Sequence, residues 1–195
     1  MSACAARWVG LALLCAASAA SAQELRIETS GESNAITISA SADMRVQLAT
    51  AWSVVTDYDH LAEFIPGMRS SRVVQRNGDQ LLVEQTGVLG FLIFEQAITV
   101  KLAVTEWPPQ RIVAHAVGGN LKEMEGSYTL ETLPGGAVRL SYSARLRPDF
   151  PVPPVVGTLV VRHLVARQFS AMVNEIVRRD ALARAVPPGQ PDATR

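Results

Sequence analysis

The sequence predicts an α+β fold in which one antiparallel sheet is covered by a long helix near the C-terminus. Six segments between residues 69 and 146 alternate apolar and polar side chains, and turn-forming residues separate them. A helical pattern then runs from Val155 to about Arg184. Alternation on one side is typical of an antiparallel sheet that has one face on the core and the other in water.

The composition fits one globular domain and argues against a nucleic-acid partner. The 195 residues include 18 Lys+Arg and 18 Asp+Glu, so the formal net charge is zero, whereas nucleic-acid binders carry a basic excess. With 48% hydrophobic and 18% charged residues, the chain can build a core. Both cysteines, Cys4 and Cys15, lie in the first 22 residues, so the rest of the chain has neither a disulfide nor a thiolate nucleophile.

Residues 1–22 have the features of a cleavable secretory signal. Arg7 precedes an apolar run from Trp8 to Ala20, and Ala20-Ser21-Ala22 fits the small-residue cleavage rule. We expect the mature protein to begin near Gln23 and to be periplasmic or secreted, with residues 23–34 as an N-terminal extension. A lipid anchor on a signal cysteine is an alternative that the bulky Leu14 disfavours.

The domain itself is predicted to span residues 35–184 and to begin with a strand followed by two short helices. Ile36–Ser41 is the predicted strand, and a shorter strand over Leu25–Thr29 is an option before it. Asp43 is the candidate cap for a helix over Val46–Val55. A second helix over His60–Phe64 ends at a Pro-Gly pair.

The remaining strands bring the predicted sheet to six or seven, and Asn77-Gly78 marks the first hairpin. The predicted strands are Arg69–Arg76, Asp79–Thr86, Phe91–Val104, Arg111–Val117, Met124–Leu133 and Val138–Leu146. A stiff loop with four prolines, Pro148–Pro154, leads into the long helix. Residues 185–195 are predicted to form a disordered tail.

Two stretches of these elements resemble the START-like (SRPBCC) superfamily, nearest its polyketide cyclase and coenzyme Q-binding branch. They are Ala51–Pro66, with the sequence AWSVVTDYDHLAEFIP, and Met124–Tyr128, with the sequence MEGSY. The resemblance covers roughly Ile36–Arg179. It implies a helix-grip fold, a curved sheet wrapped round the C-terminal helix, with a cavity between them for lipids, quinones or polyketides. Some members are cyclases or hydrolases. The signal is a departure, because most relatives are intracellular.

Residues on the inner faces of such a fold would line the cavity, unless they simply fill the core. A helical projection from Leu159 places Arg162 inside the apolar arc of the long helix and His163 at its edge. Arg162 is expected to meet a ligand head group, because a buried guanidinium needs a partner. The alternatives are an ion pair with Asp149 or with a carboxylate of the sheet, or a side chain that extends along the helix end so that its charge reaches water. The predicted ligand-binding residues are Phe91, Phe94, Ile98, Met124, Tyr128, Tyr142, Phe150, Leu159, Arg162, His163 and Phe169.

Other polar residues carry weaker signals. His115 could be a general base in the cavity, but Ile112, Ala114 and Ala116 make a competing apolar face on the same strand. The cluster Asp57, Asp59 and His60 is more typical of caps and turns than of a metal site. Gln85 and Gln96 share the strand positions of apolar neighbours and could supply hydrogen bonds inside the cavity. We predict no catalytic residue, no metal site and no cofactor.

The sequence therefore predicts a periplasmic or secreted binding or carrier protein for a lipid, isoprenoid or quinone-like molecule. Burying ~10 methylenes would supply about 8 kcal/mol before the cost of association. Two alternatives are a cyclase- or hydrolase-type enzyme in the same cavity and an interaction protein whose cavity has closed. Phe150, in the proline-rich loop, could plug the cavity, and that loop could touch a membrane transiently during loading. A lipocalin is the structural alternative, and the helix Val46–Val55 disfavours it.

Overall fold

The computed structural model describes residues 26–32, 35–91, 94–148 and 154–185. The expected signal segment, the end of the chain from residue 186 and Phe150 lie outside the described residues. Within the described ranges, no helix combines the length and the apolar character that crossing a membrane requires.

The described chain forms eight strands, three α-helices and a short 3-10 helix. The strands are β1 (Arg26–Glu32), β2 (Ala35–Met44), β3 (Met68–Asn77), β4 (Gln80–Phe91), β5 (Phe94–Trp107), β6 (Arg111–Gly119), β7 (Leu121–Thr132) and β8 (Val138–Pro148). The helices are α1 (Leu48–Val55), the 3-10 helix (Tyr58–His60), α2 (Leu61–Phe64) and α3 (Pro154–Ala185).

All eight strands belong to one antiparallel sheet in the order β1-β2-β8-β7-β6-β5-β4-β3. The predicted architecture, an antiparallel sheet with two short helices after its first long strand and a long C-terminal helix, is confirmed. The sheet has one strand more than the six or seven expected. The additional strand is β1, at the place of the optional strand Leu25–Thr29, and it pairs along β2 from Arg26↔Ser41 to Glu32↔Ala35. An edge strand of this kind is held largely by backbone hydrogen bonds, so its side-chain pattern is a weak signal.

The first hairpin forms at the predicted place, one residue later along the chain. Asn77 pairs with Gln80, so Gly78 and Asp79 form the turn. Gly78 has φ +60°, a left-handed conformation that glycine adopts without steric cost. The turn residue is therefore the glycine that the sequence singles out, and the strand register follows from it.

The helix α3 packs against the sheet through two separate apolar clusters. In its C-terminal half, Phe169, Val173 and Ile176 join the main core, where Leu140 of β8 is fully buried. Its N-terminal half belongs to a smaller cluster, in which Val161 and Val165 of α3 pack with residues of β2 and β8. Those sheet residues are Ile36, Ile38 and Ala144.

A buried carboxylate in the C-terminal half of α3 contacts the residue that precedes α1. Gln47 at the start of α1 donates its backbone N–H to Asp180 Oδ1 of α3 at 2.8 Å, and no side chain of α1 caps the helix. The prediction that Asp43 caps α1 is wrong. Asp43 lies in β2 and accepts two 2.7 Å hydrogen bonds from Arg139 of β8. The strand extends through Met44, so Asp43 is too early in the chain to reach the first turn of α1.

Candidate ligand-binding cavity

A cavity of about 170 Å³ lies between the sheet, the segment from α1 to β3, and α3. Most of its described wall is apolar. On the helical side the wall includes Val55, Leu61, Ile65 and Met172, and on the sheet side it includes Val83, Leu102, Val104 and Ile112. Leu102 and Val104 are two residues apart on β5, and Val83 of β4 is the cross-strand partner of Leu102, so these side chains lie on the same face of the sheet.

A row of small side chains across the sheet explains why space remains. Ala114 of β6 pairs with Gly126 of β7, and Gly126 pairs with Ala144 of β8. Ala114 and Gly126 both line the cavity. The ring of Tyr142 lies over Gly126, 3.7 Å from where a Cβ of that residue would be, and the short side chain of Ala114 beside it leaves space in the sheet face.

The next row of the sheet contributes two stacked tyrosines. Tyr128 of β7 and Tyr142 of β8 are cross-strand partners, and their ring centroids lie 4.6 Å apart at an interplanar angle of 30°. Both rings line the cavity. Burial raises the pKa of Tyr142 to about 12 and raises that of Tyr128 further above its ordinary value, with the charge of Tyr142 as a smaller cause. Both hydroxyls are therefore neutral donors at physiological pH.

Two carboxamides complete the polar part of the described wall. Gln85 Nε2 donates to Ser71 Oγ at 3.2 Å, and Gln168 Nε2 donates to the backbone oxygen of Pro66 at 3.1 Å. The second bond ties α3 to the turn between α2 and β3. Since each side chain uses its amide nitrogen on the protein, its amide oxygen is the group that can accept a hydrogen bond from a ligand.

Tyr58 lines another part of the cavity and has a buried carboxylate behind it. Tyr58 Oη and Glu106 Oε1 are both buried and have no hydrogen-bond partner within the described part of the chain. The other oxygen of Glu106 lies 3.6 Å from Arg76 Nη1. Burial raises the pKa of Tyr58 above its ordinary value, and the nearby negative charge of Glu106 adds to the effect. Glu106 is not among the predicted site residues, although it lies two residues after Val104 and four after Leu102, so its side chain is on the same side of the strand.

Of the predicted ligand-binding residues, Met124, Tyr128 and Tyr142 line the cavity. Their contact with a ligand stays a prediction. Ile98 is half-buried and is not part of the described wall, and Phe169 is in the main core at 2% exposure. The side chains of Phe91, Phe94 and Leu159, and the whole of Phe150, lie outside the described residues.

Arg162 and His163 are exposed, and neither is in the described cavity wall. The prediction that Arg162 lies within the buried arc of α3 is wrong. Near that residue the buried side of the helix is centred on Val161 and Val165, and further along it moves round to Phe169 and the residues that follow. One arc drawn for the whole helix averages over this change, which follows from the twist of the sheet beneath the helix.

The weaker polar candidates also have definite positions. His115 is exposed, whereas Ile112 and Ala114 of the same strand line the cavity, so the competing apolar face is the inner one. Of the two glutamines, Gln85 lines the cavity. Gln96 donates to the backbone oxygen of Ala97 at 3.0 Å and is not on the described wall.

The acidic cluster after α1 forms contacts within the protein. Asp57 accepts hydrogen bonds from His60 Nδ1 at 2.6 Å and from Arg179 Nη1 at 2.7 Å. Asp59 Oδ1 accepts from the backbone N–H of Val73 at 2.7 Å. The described residues contain no group of three or more side chains arranged to hold a metal ion.

The fold agrees with the comparisons to known proteins. The family model described as polyketide cyclase/dehydrase and lipid transport matches residues 44–173, about two thirds of the chain. The chain belongs to this family. The START-like resemblance of the sequence is thereby confirmed. Among curated proteins, none matches the sequence.

Solved structures with the same fold are distant in sequence. The Zhui aromatase/cyclase from Streptomyces sp. R1128 is similar with a TM-score of 0.65 and 12% identity, over 80% of this chain and 99% of that one. A START superfamily protein from Mycobacterium smegmatis is similar with a TM-score of 0.59 and 15% identity, over 75% of this chain and 98% of that one. A STAR-related lipid transfer protein from Xanthomonas axonopodis is similar with a TM-score of 0.60 and 9% identity, over 78% of this chain and 98% of that one. At these identities the likeness establishes the fold alone.

Proposed function

We propose that this protein is a carrier for a hydrophobic small molecule, held between the sheet and α3, and that it acts in the periplasm or after secretion. The observation that supports binding most directly is the cavity with its apolar wall, phenols and carboxamides. The features of residues 1–22 support a location outside the cytoplasm. The structural neighbour from Xanthomonas axonopodis is named a STAR-related lipid transfer protein.

The volume of the cavity sets the scale of the ligand portion that it encloses. An apolar protein cavity of about 150 Å³ accepts a benzene molecule. The cavity here, about 170 Å³, therefore suits one six-membered ring or about six methylene-sized groups. At ~0.8 kcal/mol for each group, burial supplies about 5 kcal/mol before association costs, less than the ten-methylene estimate from sequence. A ligand that also forms hydrogen bonds with the polar groups of the wall would bind more tightly than one held by burial alone.

The side chains of the wall favour binding over catalysis. The described lining residues include no histidine and no carboxylate, so a strong general base is missing from that part of the cavity. The three phenols have pKa values above the ordinary value for tyrosine, which makes them hydrogen-bond donors and not bases at neutral pH. A cyclase of the kind known in this family remains the alternative, and it would have to rely on those phenols.

Native mass spectrometry of protein released from its own compartment tests the proposal. The full-length chain should be recovered outside the cytoplasm with a new N-terminus near Gln23, and it should carry a non-covalent hydrophobic adduct. The variant Ala114→Phe should lose the adduct because a phenyl ring then fills the hollow beside Gly126.

His115→Phe is the matched control, because it adds a phenyl ring to the exposed face of the same strand. This variant should keep the adduct. Retention of the adduct by Ala114→Phe would contradict binding in this cavity. Recovery of an uncleaved chain only from the cytoplasm would contradict the proposed location while leaving the binding proposal intact.

A further inference from the structure

The described wall of the cavity offers hydrogen bonds but no ionised side chain. Its polar members are three tyrosines and two glutamines, and the rest are apolar. Arg162, the cation that the sequence suggested as an anchor, is exposed and is not on this wall. A carboxylate that entered the cavity would therefore meet no counter-charge from the described lining residues, and an unpaired buried charge is costly.

The charged groups just behind the wall do not supply the missing counter-charge. Glu106, only 7% exposed, lies behind Tyr58, and its Oε2 is 3.6 Å from Arg76 Nη1. This pair consists of one basic and one acidic side chain, and the buried member is the acidic one. Burial also raises the pKa of Tyr128 and Tyr142, which means that the cavity already disfavours negative charge on its own side chains.

We infer that the cavity selects hydrophobic molecules in their uncharged form and takes an organic acid only after that acid has bound a proton. The inference rests on the proposed function, because it specifies the chemical class of ligand for the same cavity. Alcohols, phenols and ketones enter directly, since tyrosine hydroxyls can donate to them. A hydroxyl can also donate to the amide oxygen of Gln85 or Gln168. A carboxylate must first be protonated, because protonating it in water costs less free energy than burying the anion.

Two ligands that share one ring test the inference: 4-fluorobenzyl alcohol and 4-fluorobenzoate, each followed by ¹⁹F NMR from pH 5 to pH 7. The affinity of the alcohol should stay constant. The affinity of the acid should fall about tenfold for each pH unit, or about a hundredfold in all, because its protonated fraction falls by that factor above its pKa. The ratio of the two affinities is the readout, since a pH-dependent change in the fold would affect both ligands.

Two variants locate the effect. Ala114→Phe should abolish binding of both ligands, and Arg162→Ala should leave both affinities unchanged. Benzoate affinity that is independent of pH, or that is weakened by Arg162→Ala and restored by Arg162→Lys, would overturn the inference while the proposed function stands. If neither ligand binds the wild-type protein at pH 5, or if both bind Ala114→Phe as well as wild type, the proposed function is wrong and the inference falls with it.

Discussion

Glu175 binds two arginines of its own helix, one of which reaches the segment that follows α1, and its removal gives a quantitative test of this charged cluster. The residue is 8% exposed, and its carboxylate accepts hydrogen bonds from Nε and Nη2 of Arg178 and from Nε of Arg179, at 2.6–2.7 Å. Arg179 extends to Asp57 at 2.7 Å. These bonds, with the one from Arg178 as the largest cause, lower the pKa of Glu175 to about 2.

The size and the sign of the effect follow from that pKa. A carboxyl whose pKa falls from 4.5 to about 2 on folding stabilises the folded state by at most ~3 kcal/mol at neutral pH. We expect about 1–2 kcal/mol, because the Arg178 side chain is 58% exposed and water screens its charge. The folded-state pKa lies below the unfolded value, so this stabilisation is complete above pH 4.5 and is lost as the pH falls toward 2.

Urea unfolding of the wild type and of Glu175→Gln at pH 7 and pH 3 measures this contribution. The variant should be less stable by about 1–2 kcal/mol at pH 7, and the gap should narrow at pH 3. Glu95→Gln is the control, because Glu95 is 69% exposed and lies 3.7 Å from Arg69, and it should change the stability little at either pH. An equal gap for Glu175→Gln at both pH values would refute the reasoning.

Three further predictions concern the core, a close backbone approach and the cluster after α1. Leu140→Ala should lower the free energy of unfolding by about 2–5 kcal/mol in a urea titration, because Leu140 is fully buried; a loss under 1 kcal/mol would contradict the core assignment. Gly119→Ala should lower the melting temperature, since Gly119 has φ +108° and a Cβ there would lie 2.0 Å from the Thr99 oxygen; an unchanged value would contradict that packing. The hydrogen bond to Asp57 raises the pKa of His60 above 6.5, so Asp57→Asn should lower the value obtained by NMR titration, and no change would exclude the bond.

The fold could be predicted from the sequence because its signals are local. The alternation along β4 to β8 and the glycine of the β3–β4 turn each act within one strand or hairpin, so the architecture follows from short segments. Alternation along β7 and β8 also predicts that Tyr128 and Tyr142 are on the inner face, where they line the cavity. The pattern over Leu25–Thr29 indicated β1 only as an option, because an edge strand is held mainly by its backbone and its side-chain signal is weak.

The rest of the cavity depends on relations between distant segments. The hollow exists because Ala114 and Gly126 are neighbours across two strands, and a single strand gives no information about its partner's register. Arg162 was misplaced for a related reason, since the side of α3 that is buried changes along the helix with the twist of the sheet. Glu106 has the inward parity of Leu102 and Val104, so its burial was open to prediction and was overlooked.

The methionine methyl groups give the most direct test of ligand binding in this cavity. The sequence has five methionines, of which Met68, Met124 and Met172 line the cavity, while Met44 is in the core at 2% exposure. In protein labelled with ¹³C at the methionine methyls, titration with toluene should shift the NMR signals of these three cavity residues and leave that of Met44 unchanged. Signals of the three that stay in place at saturating toluene, or that move no more than the signal of Met44, would contradict the account.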